Sequence, residues 1–219
     1  RRPATRPLAR RWKLARTTAG RRGAATPVAP PRVRDCDGNT FCSTSTIVGL
    51  AATGPESALA AVRSGHIRRT TDGGANWVRM QGTAGIGLFA ISFPDASNGW
   101  VSGSQGLIAR TSDGGVSWAS QNSGSTGRVA AIDFADALNG WAVGNSLMHT
   151  SDGYSWHMQS RPDPEQKSLN AVSVVDARTA FAVGDESRAF STRDGGASWA
   201  RETLPRRVSL NGVDFPSGC

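Results

Sequence analysis

The sequence predicts an all-β protein built from a repeated unit of about 40 residues, and three observations support this. First, a motif that is clearest in residues 106–118 (GLIARTSDGGVSW) recurs with its aspartate at intervals of 41, 39 and 42 residues. Second, ISFPDASNGWVSG at residues 91–103 returns in phase at residues 132–144 and 172–184. Third, short alternating apolar runs are separated by Gly, Asn and Asp, without sustained helical periodicity. This period is typical of a four-stranded β-propeller blade.

The clearest unit predicts four antiparallel strands in succession. They are Gly87–Phe93, Gly99–Gly103, Leu107–Ser112, and a fourth whose opening residues are Val116–Ser120. The turns between them carry the residues that tight turns prefer, including Asp followed by two glycines before the fourth strand. Each unit is therefore expected to form one twisted sheet.

The two ends of the repeat region are irregular. The first unit runs from Ser45 to about Met80 and is degenerate in its second strand, with Leu59 at the position of Trp100. The segment VSLNGVDF at residues 208–215 has the pattern of a first strand. We therefore predict four full blades plus a fifth that is either partial or split.

A split fifth blade would join residues 208–215 to residues 31–45 and remove the open sheet edges. Asp37 and Gly38, in the latter segment, start a degenerate copy of the aspartate motif between Cys36 and Cys42. A disulfide between these two cysteines, a disulfide from either to Cys219, and free thiols all remain open.

The positive charge is concentrated at the N-terminus. Residues 1–34 hold 11 Arg and Lys and no acidic residue, whereas the rest holds 14 basic and 17 acidic residues. We predict a disordered basic tail over residues 1–34 and a propeller domain over residues 35–219. An export signal, a transit peptide and an arm for anionic lipid or nucleic acid are the alternatives for the tail. Because the folded part is nearly neutral, we expect no nucleic-acid partner, and no apolar run is long enough to span a membrane.

The recurring aspartates and tryptophans are interpreted as structural. An Asp side chain accepts hydrogen bonds from the backbone of its own turn, Gly permits positive φ, and Trp packs on the sheet. One role repeated in every unit explains the recurrence, whereas a single catalytic or metal site does not. The residues are Asp72, Trp77, Asp113, Trp118, Asp152, Trp156, Asp194 and Trp199. The unit at Asp152 is one residue shorter (DGYSW), so its turn is expected to differ.

The motif S/T-x-D-G-G-x-S-W resembles the Asp-box of bacterial neuraminidase repeat propellers. The longer stretch FPDASNGWVSGSQGLIARTSDGGVSW is similar to the photosystem II assembly and stability factor family among them. This resemblance implies a non-enzymatic scaffold without cofactor or metal, holding a protein partner such as a membrane-protein assembly intermediate. It also implies an extracytoplasmic location: periplasm, thylakoid lumen or secreted. Propellers of that family have seven blades, more than this sequence supplies.

Two other functions remain as alternatives. One is a secreted Asp-box carbohydrate-active enzyme, sialidase-like or another glycosidase, or a lectin. A sialidase needs a Tyr nucleophile, and the only tyrosine, Tyr154, lies inside a turn motif. The other alternative is a structural repeat piece of a longer surface protein.

Arginines are the candidate binding residues. Arg69 and Arg110 occupy the same position in successive units, with His149 and Ser191 at the equivalent places. Arginine at one recurring position suits recognition of an acidic partner or a C-terminal carboxylate. The candidates are Arg68, Arg69, Arg110 and Arg188.

Overall fold

The structure, a computed structural model, describes residues 46–80, 83, 85–163, 165–204 and 208–215. Within these residues, sixteen strands form four separate four-stranded antiparallel sheets. The strands are β1 (Ile47–Ala52), β2 (Ala58–Val62), β3 (His66–Thr70), β4 (Val78–Met80), β5 (Leu88–Ser92), β6 (Gly99–Gly103), β7 (Ile108–Thr111), β8 (Ala119–Gln121), β9 (Val129–Phe134), β10 (Gly140–Gly144), β11 (Leu147–Thr150), β12 (His157–Met158), β13 (Leu169–Val174), β14 (Ala180–Gly184), β15 (Ala189–Thr192) and β16 (Ala200–Arg201).

Each sheet is one sequence repeat with its strands in chain order, and we number these sheets blades 1 to 4. The first strands β1, β5, β9 and β13 lie side by side in succession, so the blades stack in chain order. This arrangement confirms the predicted all-β, propeller-type fold. The part of the chain that the structure describes contains no helix, and hence none that could cross a bilayer.

The apolar core lies between adjacent blades. Trp100 of β6 is 0% exposed and stacks on Phe134 of β9, with ring centroids 3.7 Å apart. Phe134 in turn meets Trp156 edge-on at 5.9 Å. Similar buried clusters fill the junction of blades 1 and 2 and that of blades 3 and 4. No blade can bury its faces alone, so the stack of blades stabilises each of them.

The fourth strand differs from its predicted start. The sequence predicts that this strand opens with Val116–Ser120, but β8 begins only at Ala119. The backbone N–H groups of Val116 and Ser117 donate to the Asp113 carboxylate, at 2.9 Å each. Since the turn uses these donors, they are not available to a strand ladder, and the strand starts later.

Residues 208–215 lie where the first strand of a fifth blade would start. The N–H of Ser187 donates to the carbonyl of Val208 at 2.7 Å, which repeats the bond from Gly106 to Gly127 between blades 2 and 3. The ring of Phe215 also stacks on Phe181, at 4.1 Å. Among the described residues this segment pairs with no other strand.

The proposed partner of that segment cannot be compared with the structure. Residues 1–45 and 216–219 lie outside the described residues. The split fifth blade, the tail boundary at residue 34 and the pairing of Cys36, Cys42 and Cys219 therefore stay predictions.

Candidate functional site

The four Asp-box aspartates each act as a hydrogen-bond acceptor within their own turn. Asp113 accepts from the Ser117 hydroxyl at 2.6 Å, from the Thr111 hydroxyl at 2.7 Å and from two backbone N–H groups. The Ser117 hydroxyl, the Ser117 N–H and the Thr111 hydroxyl together lower the pKa of Asp113 to about 2. Each of these four carboxylates is hydrogen-bonded within its own turn, and the four do not converge on a common site.

The same bonding makes the turns sensitive to acid. Hydrogen bonds, led by those of Asn76 and Ser198 respectively, lower the pKa of Asp72 and Asp194 to about 2. A depressed folded-state pKa contributes stability above the unfolded value of 3.8, which is lost as the pH falls through about 2. We therefore expect the urea midpoint to fall between pH 4 and pH 2. Asp113→Asn should reduce this fall of the urea midpoint with pH, whereas the exposed control Glu56→Gln should not. An equal fall in the two variants would contradict the role of Asp113 in the acid sensitivity.

The shortened turn of blade 3 differs as the sequence predicts. Blade 2 uses two glycines with positive φ, Gly114 (69°) and Gly115 (86°), whereas blade 3 uses only Gly153 (73°). The N–H of Gly153 donates to Thr150, as that of Gly115 donates to Thr111. Gly153 therefore takes the place of the second glycine, and the next residue, Tyr154, is 61% exposed.

Gln121 of β8 fixes that turn against blade 2. Its amide nitrogen donates to the carbonyl of Gly153 at 2.8 Å, and its amide oxygen accepts from the indole N–H of Trp156 at 2.9 Å. Both partners belong to blade 3, so one side chain holds the Asp-box turn of the following blade. This clamp places Tyr154 beside the third strand of blade 2.

Arg110 of β7 lies between two aromatic rings. Its guanidinium carbon is 5.3 Å from the centroid of Trp100 and 4.3 Å from that of Tyr154. It donates to the Tyr154 hydroxyl and to the side-chain oxygen of Asn98, each at 2.8 Å. Both acceptors are neutral. Against a rise from burial, the hydrogen bonds of Asn98 and Ser97 and then the charge of Arg110 lower the pKa of Asp95, so one carboxylate lies near Arg110. The ion pairs between described residues involve only Arg161, Lys167 and Arg188 as cations, so Arg110 forms no direct salt bridge there.

Two spaces in the surface could hold a ligand. A pocket of about 260 Å³ lies at Arg110, and a cavity of about 390 Å³ lies at the first strands of the blades. The smaller one, which we call the Arg110 pocket, is formed by the third and fourth strands of blade 2 and the turn of blade 3. Its lining includes Arg110, Ser117, Trp118, Ser120, Gln121 and Tyr154. A half-buried cation, hydroxyls, an amide and two aromatic rings suit a ligand with a carboxylate and some apolar surface.

The larger cavity lies at the first strands and carries carboxylates. Asp133 of β9 accepts from the Ser92 hydroxyl at 3.2 Å and from the N–H of Val174 at 2.8 Å, so it bridges blades 2, 3 and 4. Burial raises the pKa of Asp133, and the charge of Asp214 adds to the rise. These contacts give Asp133 a structural explanation. In the described part of the chain, no group of three or more His, Cys, Asp or Glu is placed to hold a metal ion.

The structure does not bring the four candidate arginines into one site. Arg69 holds the same register in blade 1 as Arg110 does in blade 2, opposite Leu59 instead of Trp100. Arg68 is its neighbour on β3 and is buried. Arg188 follows the turn between β14 and β15, and it is paired with Asp163 at 3.1 Å, Glu165 at 2.6 Å and Glu186 at 3.1 Å. Only Arg110 lines the pocket described above.

Sequence reasoning did not place three residues of the Arg110 pocket region in a site: Asn98, Gln121 and Tyr154. The sequence pattern indicates only a turn role for Tyr154. The sequence does carry a signal for it, since the only tyrosine lies within the one shortened Asp-box. Asn98 and Gln121 gave no signal, because their roles arise from contacts with other strands and blades.

Part of the chain matches a known protein family in sequence. Residues 78–160 match the sequence model of a family described as photosynthesis system II assembly factor YCF48. No curated protein matches the chain.

Solved structures share the fold at low sequence identity. YCF48 bound to D1 peptide matches with a TM-score of 0.63 and 18% identity, over 78% of this chain and 59% of that chain. YCF48 from Cyanidioschyzon merolae matches with a TM-score of 0.62 and 17% identity, over 80% of this chain and 61% of that one. An ancestral GH74 enzyme gives 0.63 at 16% identity, over 84% of this chain and 26% of that one.

This chain thus spans about three fifths of the length of the YCF48 structures that it matches. The matched family segment runs from β4 through blade 3, so it includes Arg110 and Tyr154. The chain is an Asp-box repeat protein with a β-propeller fold, and its residues 78–160 are similar to the YCF48 family.

Proposed function

We propose that this chain is a non-enzymatic scaffold that binds an acidic segment of a protein partner, with a carboxylate of that segment on Arg110. The observation that carries the proposal is the state of Arg110: a half-buried guanidinium with only neutral acceptors, Tyr154 and Asn98, beside an open pocket. An arginine in this state gains a charge-assisted, bidentate-capable contact when a carboxylate arrives.

The likeness to YCF48 bound to D1 peptide supports a protein partner. We propose that the partner is an assembly intermediate of a membrane protein, met on the extracytoplasmic side of the membrane. Arg69, in the same register of blade 1, is a second candidate contact for a longer segment. Arg188 already pairs with three carboxylates of its own chain, and Arg68 is buried, so we place both outside the first contact.

The test uses a fluorescein-labelled hexa-aspartate peptide and the full chain at low salt. Arg110→Met keeps the apolar stem and removes the charge, and we expect it to weaken binding by at least about tenfold. Arg110→Lys keeps the charge but loses the planar guanidinium, so its affinity should lie between those of the wild type and Arg110→Met. Fluorescence anisotropy gives the affinities.

The matched control is Arg79→Met, which removes an exposed arginine from β4 of blade 1. It changes the net charge by the same amount, so equal losses for both variants would show non-specific attraction and contradict the site. A hexa-asparagine peptide, which carries no charge, should bind to neither the wild type nor the variants. Turnover of a panel of fluorogenic glycosides by the wild type would contradict the non-enzymatic assignment and favour the carbohydrate-active alternative.

A further inference from the structure

Blade 3 has a titratable residue where blade 2 has Arg110. His149 of β11 lies opposite Trp141 of β10, in the register that pairs Arg110 with Trp100. The ring of His149 packs on that of Trp141 with centroids 4.3 Å apart, as the guanidinium of Arg110 lies over Trp100. The two blades therefore hold equivalent side chains on equivalent rings, one always charged and one charged only when protonated.

The groups around His149 favour its neutral form in the free protein. Its Nε2 is buried and has no hydrogen-bond partner among the described residues. From β12, His157 lies directly opposite; from β10, Gly140–Gly144, no ionisable group faces it. Burial, followed by the charge of His157, lowers the pKa of His149.

The charged groups in the turns next to His149 either accept hydrogen bonds within their own turn or are exposed to solvent. Asp152, in the turn after β11, accepts from the backbone of its own turn. The turn of blade 4 places Gly196 against Trp141 and carries Arg193 and Asp194. Asp194 accepts from Ser198 and Thr192 within that turn, and Arg193 is exposed. No described carboxylate is paired with His149, so a protonated ring has an unmatched charge.

We propose that His149 is a second carboxylate-binding subsite beside the Arg110 pocket, and that it binds only when its imidazole is protonated. This inference rests on the proposed function, since the same acidic segment occupies both subsites. Tyr154, which contacts Arg110, follows His149 by five residues, a stretch of at most about 17 Å. A six-residue extended peptide spans roughly 20 Å and therefore reaches both.

Binding and protonation are then linked. A carboxylate next to the ring favours the imidazolium, so the pKa of His149 is higher in the complex than in the free protein. Affinity for the acidic peptide consequently rises as the pH falls from the pKa of His149 in the complex to its pKa in the free protein, and it is constant at higher pH. Aspartate side chains of the peptide, with a pKa of about 3.9, stay ionised throughout.

The experiment measures binding of the labelled hexa-aspartate peptide at pH 7.5 and pH 5.5, at constant ionic strength. We expect the wild type to bind roughly tenfold more tightly at pH 5.5, equivalent to about one unit of pKa shift. His149→Gln should bind at pH 7.5 as the wild type does, and it should not bind more tightly at pH 5.5. His149→Arg should bind tightly at both values. His157→Gln, the matched control, should keep the increase, with its midpoint moved to higher pH.

A second measurement requires no variant at His149. Imidazole resonances of the wild type, titrated by NMR with and without saturating peptide, should show a higher pKa for His149 in the complex, with His66 as the internal reference. An unchanged pKa, or an increase that survives in His149→Gln, overturns this inference while Arg110 binding stands. If the wild type fails to bind the peptide at either pH, both the proposed function and this inference are overturned.

Discussion

Trp100→Ala should lower the free energy of unfolding by about 3–5 kcal/mol, the largest effect that we expect from a single side-chain truncation in this chain. The indole is 0% exposed and stacks on Phe134 of the next blade. Its ring also lies against Gly153, so it supports the turn that carries Tyr154. Removing it leaves a cavity between two blades whose strands cannot collapse without breaking the stack. Urea unfolding followed by circular dichroism measures the loss.

The chain itself supplies the matched control. Blade 4 has Phe181 where blade 2 has Trp100, so a phenyl ring is tolerated at this register. Trp100→Phe keeps an aromatic face for Phe134 and leaves a smaller void, and we expect a loss of about 1–2 kcal/mol. Equal losses for the two variants, or a loss below about 1 kcal/mol for alanine, would show that the junction of blades 2 and 3 relaxes into the space.

The features that the sequence predicts correctly are those that depend on nearby residues. The Asp113 turn needs only its own hydroxyls, N–H groups and two glycines, all within a few positions, so the motif is sufficient to predict it. Strand positions follow from the same local pattern and its period. The late start of β8 is the exception, because propensity alone does not show that Asp113 takes the N–H groups of Val116 and Ser117.

The candidate site depends on contacts between blades, which one sequence does not reveal. Arg110 and Tyr154 are 44 residues apart, and Gln121 and Gly153 are 32 apart. Their meeting depends on how far one sheet is rotated against the next, a property of the whole stack. The periodic position of Arg110 was visible in the sequence, but its neutral partners and the surrounding pocket were not.

Gly106→Ala tests directly how tightly successive blades are joined, and we expect it to lower the free energy of unfolding by about 2–5 kcal/mol. Gly106 has φ +72°, and an added Cβ would lie 1.7 Å from the carbonyl oxygen of Ser125 in the loop that leads to blade 3. Its N–H also donates to the carbonyl of Gly127 at 2.5 Å. Left-handed backbone costs an alanine about 1–2 kcal/mol, and relieving the clash by moving that loop adds about 1–3 kcal/mol.

Gly73→Ala separates these two causes. Gly73 has φ +70°, nearly the same backbone conformation, but nothing lies within 4 Å of the Cβ that alanine would add. It should therefore show the conformational cost alone, about 1–2 kcal/mol. Hydrogen exchange should also quicken at Gly106 and Ser125 in Gly106→Ala and remain unchanged there in Gly73→Ala. If the two variants lose the same stability, the contact between blade 2 and the following loop contributes nothing. The Arg110 pocket, which spans the same junction, would then lack the rigid support that its geometry requires.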